Sequence, residues 1–285
     1  MREKLLITPE QLAAQLPDPN LRLFDATVHL QRSEKGYNIR SGLEDYTASH
    51  IPGAGFMDQA EALSDTTTKL GFTLPDVDDL AQGLGALGIT RDTPVVLYAT
   101  SHVMWATRAF WLLHYLGHDN VRVLDGGLAA WQQAGLSVAT GAETYPSATF
   151  VPDVHGERFV RLEEMQQLVE AGTTCVVNAL PEPVYTGEGG ALYGRAGHIP
   201  GSLNLPYDNL LNDGAFRADA ELRSALAESG LDGTSRVVAY CGGGISATIP
   251  AFARLLLGLD DTAIYDGSMS EWVREGLPLT EGKAP

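Results

Sequence analysis

Val237-Val238-Ala239-Tyr240-Cys241-Gly242-Gly243-Gly244-Ile245-Ser246-Ala247-Thr248 runs from a short apolar segment through three consecutive glycines into a helical stretch. The first four residues read as a buried strand and the residues from near Ser246 as a helix start. Such a strand-loop-helix unit belongs to a parallel α/β sheet, where ligands gather beyond the carboxyl ends of the strands. Cys241 stands at that place. The glycines let the backbone curl around the sulfur with unhindered amides, and the helix start adds its partial positive charge. Convergent donors of this kind stabilise a negative charge on a thiol. Taken alone, the same residues also read as a small core cysteine in a tight turn.

Working outward, Val95-Val96-Leu97-Tyr98 matches Val237-Val238-Ala239-Tyr240 at an offset of 142. His50-Ile51-Pro52-Gly53-Ala54 recurs as His198-Ile199-Pro200-Gly201-Ser202, 148 positions later. Leu124-Asp125-Gly126-Gly127 with Trp131 recurs as Tyr265-Asp266-Gly267-Ser268 with Trp272, 141 positions on. Three matches in one order and at nearly one offset are the mark of two copies of a domain. In each copy short Val/Leu-rich runs alternate with amphipathic stretches, Asp78 to Leu87 before Val95 and Ala218 to Ser229 before Val237. The fold class is therefore α/β, two tandem domains that are each a mainly parallel sheet flanked by helices. The division is residues 1–140, a Pro- and Gly-containing connector over 141–156, and residues 157–285. Cys241 falls opposite Ala99 of the first copy, so the first loop has no thiol and the second carries the one site.

The chain has 285 residues, 44% hydrophobic and 19% charged, which suits two soluble cores. No stretch reaches the roughly 20 apolar residues needed to span a bilayer. Met1 to Glu10 has too short an apolar run for a signal peptide, and Thr8-Pro9-Glu10 reads as a helix start, so a cytoplasmic location is expected. The net charge of −17 repels nucleic acid and anionic membranes, which excludes both as partners. Any anion site must be a local reversal of that field. The two cysteines, Cys175 and Cys241, allow no disulfide framework and no zinc-type cluster, and Cys175 lies in an apolar strand-like run as inert core.

The repeated His-Ile-Pro-Gly motif, Gly117-His118 ahead of Leu124-Asp125-Gly126-Gly127, the loop Cys241 to Ser246, and Tyr265-Asp266-Gly267-Ser268 with Trp272 resemble the tandem rhodanese-domain sulfurtransferases. These comprise the thiosulfate and 3-mercaptopyruvate sulfurtransferases, and the resemblance covers essentially the whole chain. It implies a persulfide mechanism. The Cys241 thiolate would take a sulfur from a small donor, thiosulfate or 3-mercaptopyruvate, and pass it to cyanide or a thiol. A persulfide anion needs amide donors in a shielded site, and the loop Gly242, Gly243, Gly244, Ile245, Ser246 and Ala247 is placed to supply them, chiefly from Gly243 to Ala247. No metal and no organic cofactor is implied, and a monomer is expected because the two domains can satisfy one another's interfaces.

Two departures from the family pattern stand out. Members using thiosulfate tend to carry basic residues after the cysteine and those using 3-mercaptopyruvate Gly-Ser-Gly, whereas Gly242, Gly243 and Gly244 follow here. The family's donor-clasping arginines are also missing from Val177 to Gly187, which leaves Arg195 as the nearest cation and the candidate anion clamp. Phosphatases of this fold need an arginine about five residues after the cysteine, where Ser246 and Ala247 stand, so that activity is not expected. The alternative is a sulfur-relay or binding module whose cysteine carries persulfide without turnover or is vestigial. His50 and His198 occur in both copies although only one has the thiol, which makes them structural.

Overall fold

The computed structural model describes residues 1–33, 36–231 and 236–285. The strands, in chain order, are β1 (Leu6–Ile7), β2 (Arg22–Asp25), β3 (Val28–Ser33), β4 (Gly36–Ser41), β5 (Gly55–Phe56), β6 (Val95–Tyr98) and β7 (Val121–Leu124) in the first half. The second half contributes β8 (Phe159–Val160), β9 (Cys175–Asn178), β10 (Leu203–Asn204), β11 (Leu211–Asn212), β12 (Ala215–Phe216), β13 (Val237–Tyr240) and β14 (Thr262–Tyr265). Two five-stranded parallel sheets result, ordered β1-β7-β6-β2-β5 and β8-β14-β13-β9-β10. The two orders correspond strand for strand, the topology that the internal repeat implies.

The local chemistry explains these elements. Val95–Tyr98 and Val237–Tyr240 are buried at all four positions, as central parallel strands covered on both faces must be. Thr8 caps the helix Pro9–Gln15: its hydroxyl accepts from the Gln11 amide while the Gln11 side chain accepts from the Thr8 amide, with proline in the first turn. The expected helices at Asp78 to Leu87 and Ala218 to Ser229 form as Val77–Ala86 and Asp219–Glu228. The helix after Cys241 begins two residues later than read from the sequence, at Thr248.

The repeated motifs make the same bonds in both halves. The Tyr98 hydroxyl accepts from the Ile51 amide and the Tyr240 hydroxyl from the Ile199 amide, at 3.2 and 3.0 Å. His50 and His198 are fully buried, stack on Tyr46 and Tyr185, and bond the carbonyls of those tyrosines through Nδ1. Their backbones pair with Ala139 and Thr280, so each half closes its own tail onto its own His-Ile-Pro-Gly corner. Trp131 and Trp272 are core residues whose indoles donate to Ser137 and Pro278.

One core cluster runs through both halves and includes the facing helices Met104–Tyr115 and Thr248–Leu256. Residues 141–156 lie along the first half, where the Tyr145 hydroxyl donates to the Gly53 carbonyl and the Ala148 amide to Gly85. Each half also sends an antiparallel hairpin toward the other's loop. β3–β4 brings Tyr37 near the second half's loop tyrosines, and β11–β12 supplies Leu211 and Gly214 to the wall of a cavity at the first half's loop. Arg2, at the start of the chain, bonds the Phe216 and Arg217 carbonyls and pairs with Asp219, stitching the halves together.

Candidate functional site

β13 ends at Tyr240 and the following helix starts at Thr248, which leaves Cys241 to Ala247 as a loop at the carboxyl edge of the second sheet. Cys241 is 2% exposed. Among the described residues, every carbonyl of the loop but that of Gly243 has a donor. Cys241 accepts from the Met269 amide, and Gly242 from the Ser270 amide and hydroxyl. Gly244 accepts from Arg108, Ile245 from the Thr248 amide and hydroxyl, and Ser246 from the Ile249 amide. Two amides are also committed: Cys241 and Gly244 both donate to the Ser268 hydroxyl oxygen, at 3.1 and 3.0 Å. Among the described residues, the amides of Gly242, Gly243, Ile245, Ser246 and Ala247 have no hydrogen-bond partner. A loop with its carbonyls engaged, that of Gly243 apart, and five of its seven amides open is built for an anion.

Gly244 therefore differs from the sequence expectation. Its amide serves the loop's own architecture through Ser268. Its φ of +73° demands glycine, since an added Cβ would meet the Asp266 carbonyl. Ser268 itself sits at φ +50°, unusual outside glycine, and its hydroxyl donates to the Tyr265 carbonyl while accepting the two loop amides.

The first half holds the loop from the other side. Arg108, buried in the helix Met104–Tyr115, donates to the Gly244 and Phe72 carbonyls and lies 2.8 Å from Asp266, as an ion pair and not an aligned hydrogen bond. The Leu74 amide donates to the other Asp266 oxygen. Ile245 packs with Val28, Phe72, Ala99 and Trp105.

Two tyrosines of the second half, Tyr193 and Tyr207, lie near the thiol. The Tyr193 ring lies against Gly242, where any Cβ would collide with its hydroxyl. Tyr207 meets the His102 ring edge-on with centroids 5.4 Å apart. Both phenols are held above their ordinary pKa, chiefly by burial and further by the neighbouring charges of Cys241 and Tyr37; at Tyr207 the Asp208 carboxylate adds more than either, taking it to about 12. They stay protonated at physiological pH.

Arg195 is not brought to the loop. It is exposed, its guanidinium donates to the Leu277 carbonyl, and none of its contacts reaches residues 241–247. Cys175 pairs in register with Val237, three residues down the strand from Tyr240, about 10 Å from the loop end. Burial pushes its thiol pKa up, with Arg254 acting the other way. Ala99 occupies the place of the thiol in the first copy, where a cavity of about 420 Å³ opens against Ser101, His102 and Asp208. Sequence reasoning missed Arg108, Ser268, Tyr193 and Tyr207. Ser268 alone left a signal, being the serine where the first copy has Gly127.

Chemically, a shielded thiol faced by unpartnered amides can carry a negative charge on its sulfur or on an atom bonded to it. Among the described residues, no group of three or more His, Cys, Asp or Glu side chains is placed to hold a metal ion.

The family described as "Rhodanese-like domain" matches residues 8–134 and 162–275. The chain is 31% identical over 271 residues to the 3-mercaptopyruvate sulfurtransferase of Escherichia coli K12, covering 94% of this chain and 95% of that one. It is 31% identical over 268 residues to the thiosulfate sulfurtransferase of Rattus norvegicus, covering 92% and 88%. The crystal structure of SseA from Escherichia coli, a 3-mercaptopyruvate sulfotransferase with the "rhodanese" fold, superposes with a TM-score of 0.82 at 30% identity, covering 92% of this chain and 98% of that one.

Proposed function

The chain belongs to the rhodanese-like family, in two tandem copies, and is a sulfurtransferase; from that premise we propose that Cys241 carries the transferred sulfur as a persulfide. The observation that carries the proposal is the set of five unpartnered amides around a thiol that is 2% exposed. With thiosulfate, the Cys241 thiolate attacks the outer sulfur, the donor S–S bond breaks, and sulfite leaves with the electron pair. With 3-mercaptopyruvate, the C–S bond breaks and the carbon takes up the thiol proton to give pyruvate. In both cases the enzyme is left as Cys–S–S⁻. Cyanide or a thiol then attacks the outer sulfur and regenerates the thiolate. The open amides of Gly242, Gly243, Ile245, Ser246 and Ala247 hold the persulfide charge, and charge-assisted bonds of this kind are about twice as strong as neutral ones. Gly244 shapes the loop.

The division into residues 1–140, a connector over 141–156 and a catalytic part over 157–285 belongs to the same proposal. So do a cytoplasmic location and a monomeric state. No described helix is long and apolar enough to cross a membrane. Arg195 is left out of the donor site because its guanidinium is exposed and bonds the Leu277 carbonyl, with no bond to the loop.

The test is sulfide release and thiocyanate formation by purified protein given 3-mercaptopyruvate or thiosulfate, with Cys241→Ser alongside. Turnover that vanishes in the variant is the expected result. Equal turnover in the variant would remove Cys241 from the chemistry, and pick-up of sulfur only from a protein donor would mark a relay.

A further inference from the structure

We propose that the phenol hydroxyls of Tyr193 and Tyr207 form a neutral clamp for the carboxylate of the sulfur donor, selecting a monoanionic 2-oxo-acid thiol over a dianion. The inference rests on the reading of Cys241 as the sulfur-carrying residue and deepens it.

The first observation is position. Tyr193 abuts Gly242, the residue directly after Cys241, and that contact is why position 242 has no side chain. Tyr207 opens the short turn Tyr207–Leu210 and is braced edge-on by His102 from the first half. The Cys241 charge acts on both phenols, and so does Tyr37 of the β3–β4 hairpin.

The second observation is vacancy of bonding. Neither hydroxyl has a hydrogen-bond partner among the described residues, although both rings are partly buried and packed against the core. Both hydroxyls are reachable from solvent, so a ligand can meet them without first breaking a protein bond. Two free O–H donors beside a reactive sulfur suit the two oxygens of one carboxylate, while the loop amides take the sulfur.

The third observation is the absence of countercharge. Arg108 is consumed by Asp266 and by the Gly244 and Phe72 carbonyls, and Arg195 is exposed and donates to the Leu277 carbonyl. Among the described residues no Lys or Arg is bonded to Cys241 or to either phenol, and the Asp208 carboxylate adds negative charge beside Tyr207, which weighs further against a dianion. Neutral donors can solvate one negative charge, but the second charge of a dianion such as thiosulfate loses its water without an opposite charge to replace it.

Binding is measured by calorimetric titration in the Cys241→Ser chain, which cannot turn over, with 3-mercaptopyruvate and thiosulfate as separate probes. 3-Mercaptopyruvate should bind about tenfold more tightly than thiosulfate, and Tyr193→Phe and Tyr207→Phe should each weaken its binding about tenfold, with unchanged thermal transitions. Phe variants that bind 3-mercaptopyruvate as the parent does, a parent that prefers thiosulfate, or a parent that binds neither would overturn the clamp. Turnover by the chain with Cys241 intact is scored separately. Cysteine-dependent turnover with a KM insensitive to both Phe substitutions removes the clamp and leaves sulfur transfer standing. Tyrosine-dependent binding without turnover removes sulfur transfer and leaves the clamp.

Discussion

The Thr107 hydroxyl oxygen lies 2.7 Å from that of Thr248, the residue 141 positions later that occupies the same place in the second copy. Beside them Phe110 meets Phe252, the neighbour of its own counterpart Ala251, edge to face with ring centroids 4.8 Å apart. Equivalent residues touch only where an axis relates the copies, so a pseudo-twofold passes between the helices Met104–Tyr115 and Thr248–Leu256. The seam has the self-complementary character of a homodimer interface.

A double-mutant cycle tests that seam. Each hydroxyl also has a local carbonyl, Met104 for Thr107 and Ile245 for Thr248. Thr107→Val and Thr248→Val should each cost about 1 kcal/mol, and the double variant less than their sum by about 0.5 kcal/mol or more, read from urea denaturation. Strict additivity would mean the two hydroxyls do not interact.

Arg108 and Asp266 are 2% and 12% exposed, so removing the carboxylate strands a buried guanidinium. Asp266→Ala should lower stability by about 3–5 kcal/mol. Because Arg108 also holds the Gly244 carbonyl, turnover should fall below the level that loss of folded protein explains.

Ser268→Ala removes the acceptor shared by the Cys241 and Gly244 amides. Loss of loop geometry should slow formation of the Cys241 persulfide between about tenfold and a hundredfold in single-turnover experiments. A rate within twofold of the parent would show that the loop holds its shape without this hydroxyl.

Burial, aided by the Arg158 charge and opposed by Asp119, holds the His114 pKa down to about 4, against an ordinary value of 6.5. The unfolded chain therefore takes up a proton that the folded chain refuses as pH falls from 6.5 toward 4. Stability is fully present above pH 6.5 and is lost through that window, by on the order of 3 kcal/mol for this group. His102, His118 and His198 shift in the same direction. Asp25, with its carboxyl pKa raised by burial, has the opposite sign: its contribution is lost as pH rises from 3.8 through its folded value, which offsets part of the histidine loss at the acid edge. Denaturation midpoints between pH 7 and 5 should fall with pH, and His114→Phe should flatten the slope.

The two-copy architecture was legible because alternating apolar runs and amphipathic stretches are local patterns, and because the copies share residues whose backbone bonds are identical. The Ile51–Tyr98 and Ile199–Tyr240 bonds are an example. The loop at Cys241 was legible only in company: glycines after a strand also make a plain tight turn, and the repeated motifs around them decided the reading. What surrounds the loop was not. Arg108 sits mid-helix in the other half, and only packing turns it onto Asp266 and Gly244. Tyr193 and Tyr207 lie in Gly- and Pro-rich segments without periodicity, where no local pattern reports what they face. Arg195 was expected at the anion site from its charge and its nearness in sequence. The chain geometry near the His198 corner carries it to Leu277 instead.

The crossed hairpins make the loop of each half depend on the other, yet both halves sit on one chain joined through residues 141–156. Two separate copies covering one another in this way would come apart on dilution, and the roof over the thiol would come and go with protein concentration. A tether replaces that bimolecular equilibrium by a fixed effective concentration, in the millimolar range for short linkers. The completeness of the site is therefore independent of how scarce the protein is, and the copy without a cysteine is retained as a subunit that cannot dissociate.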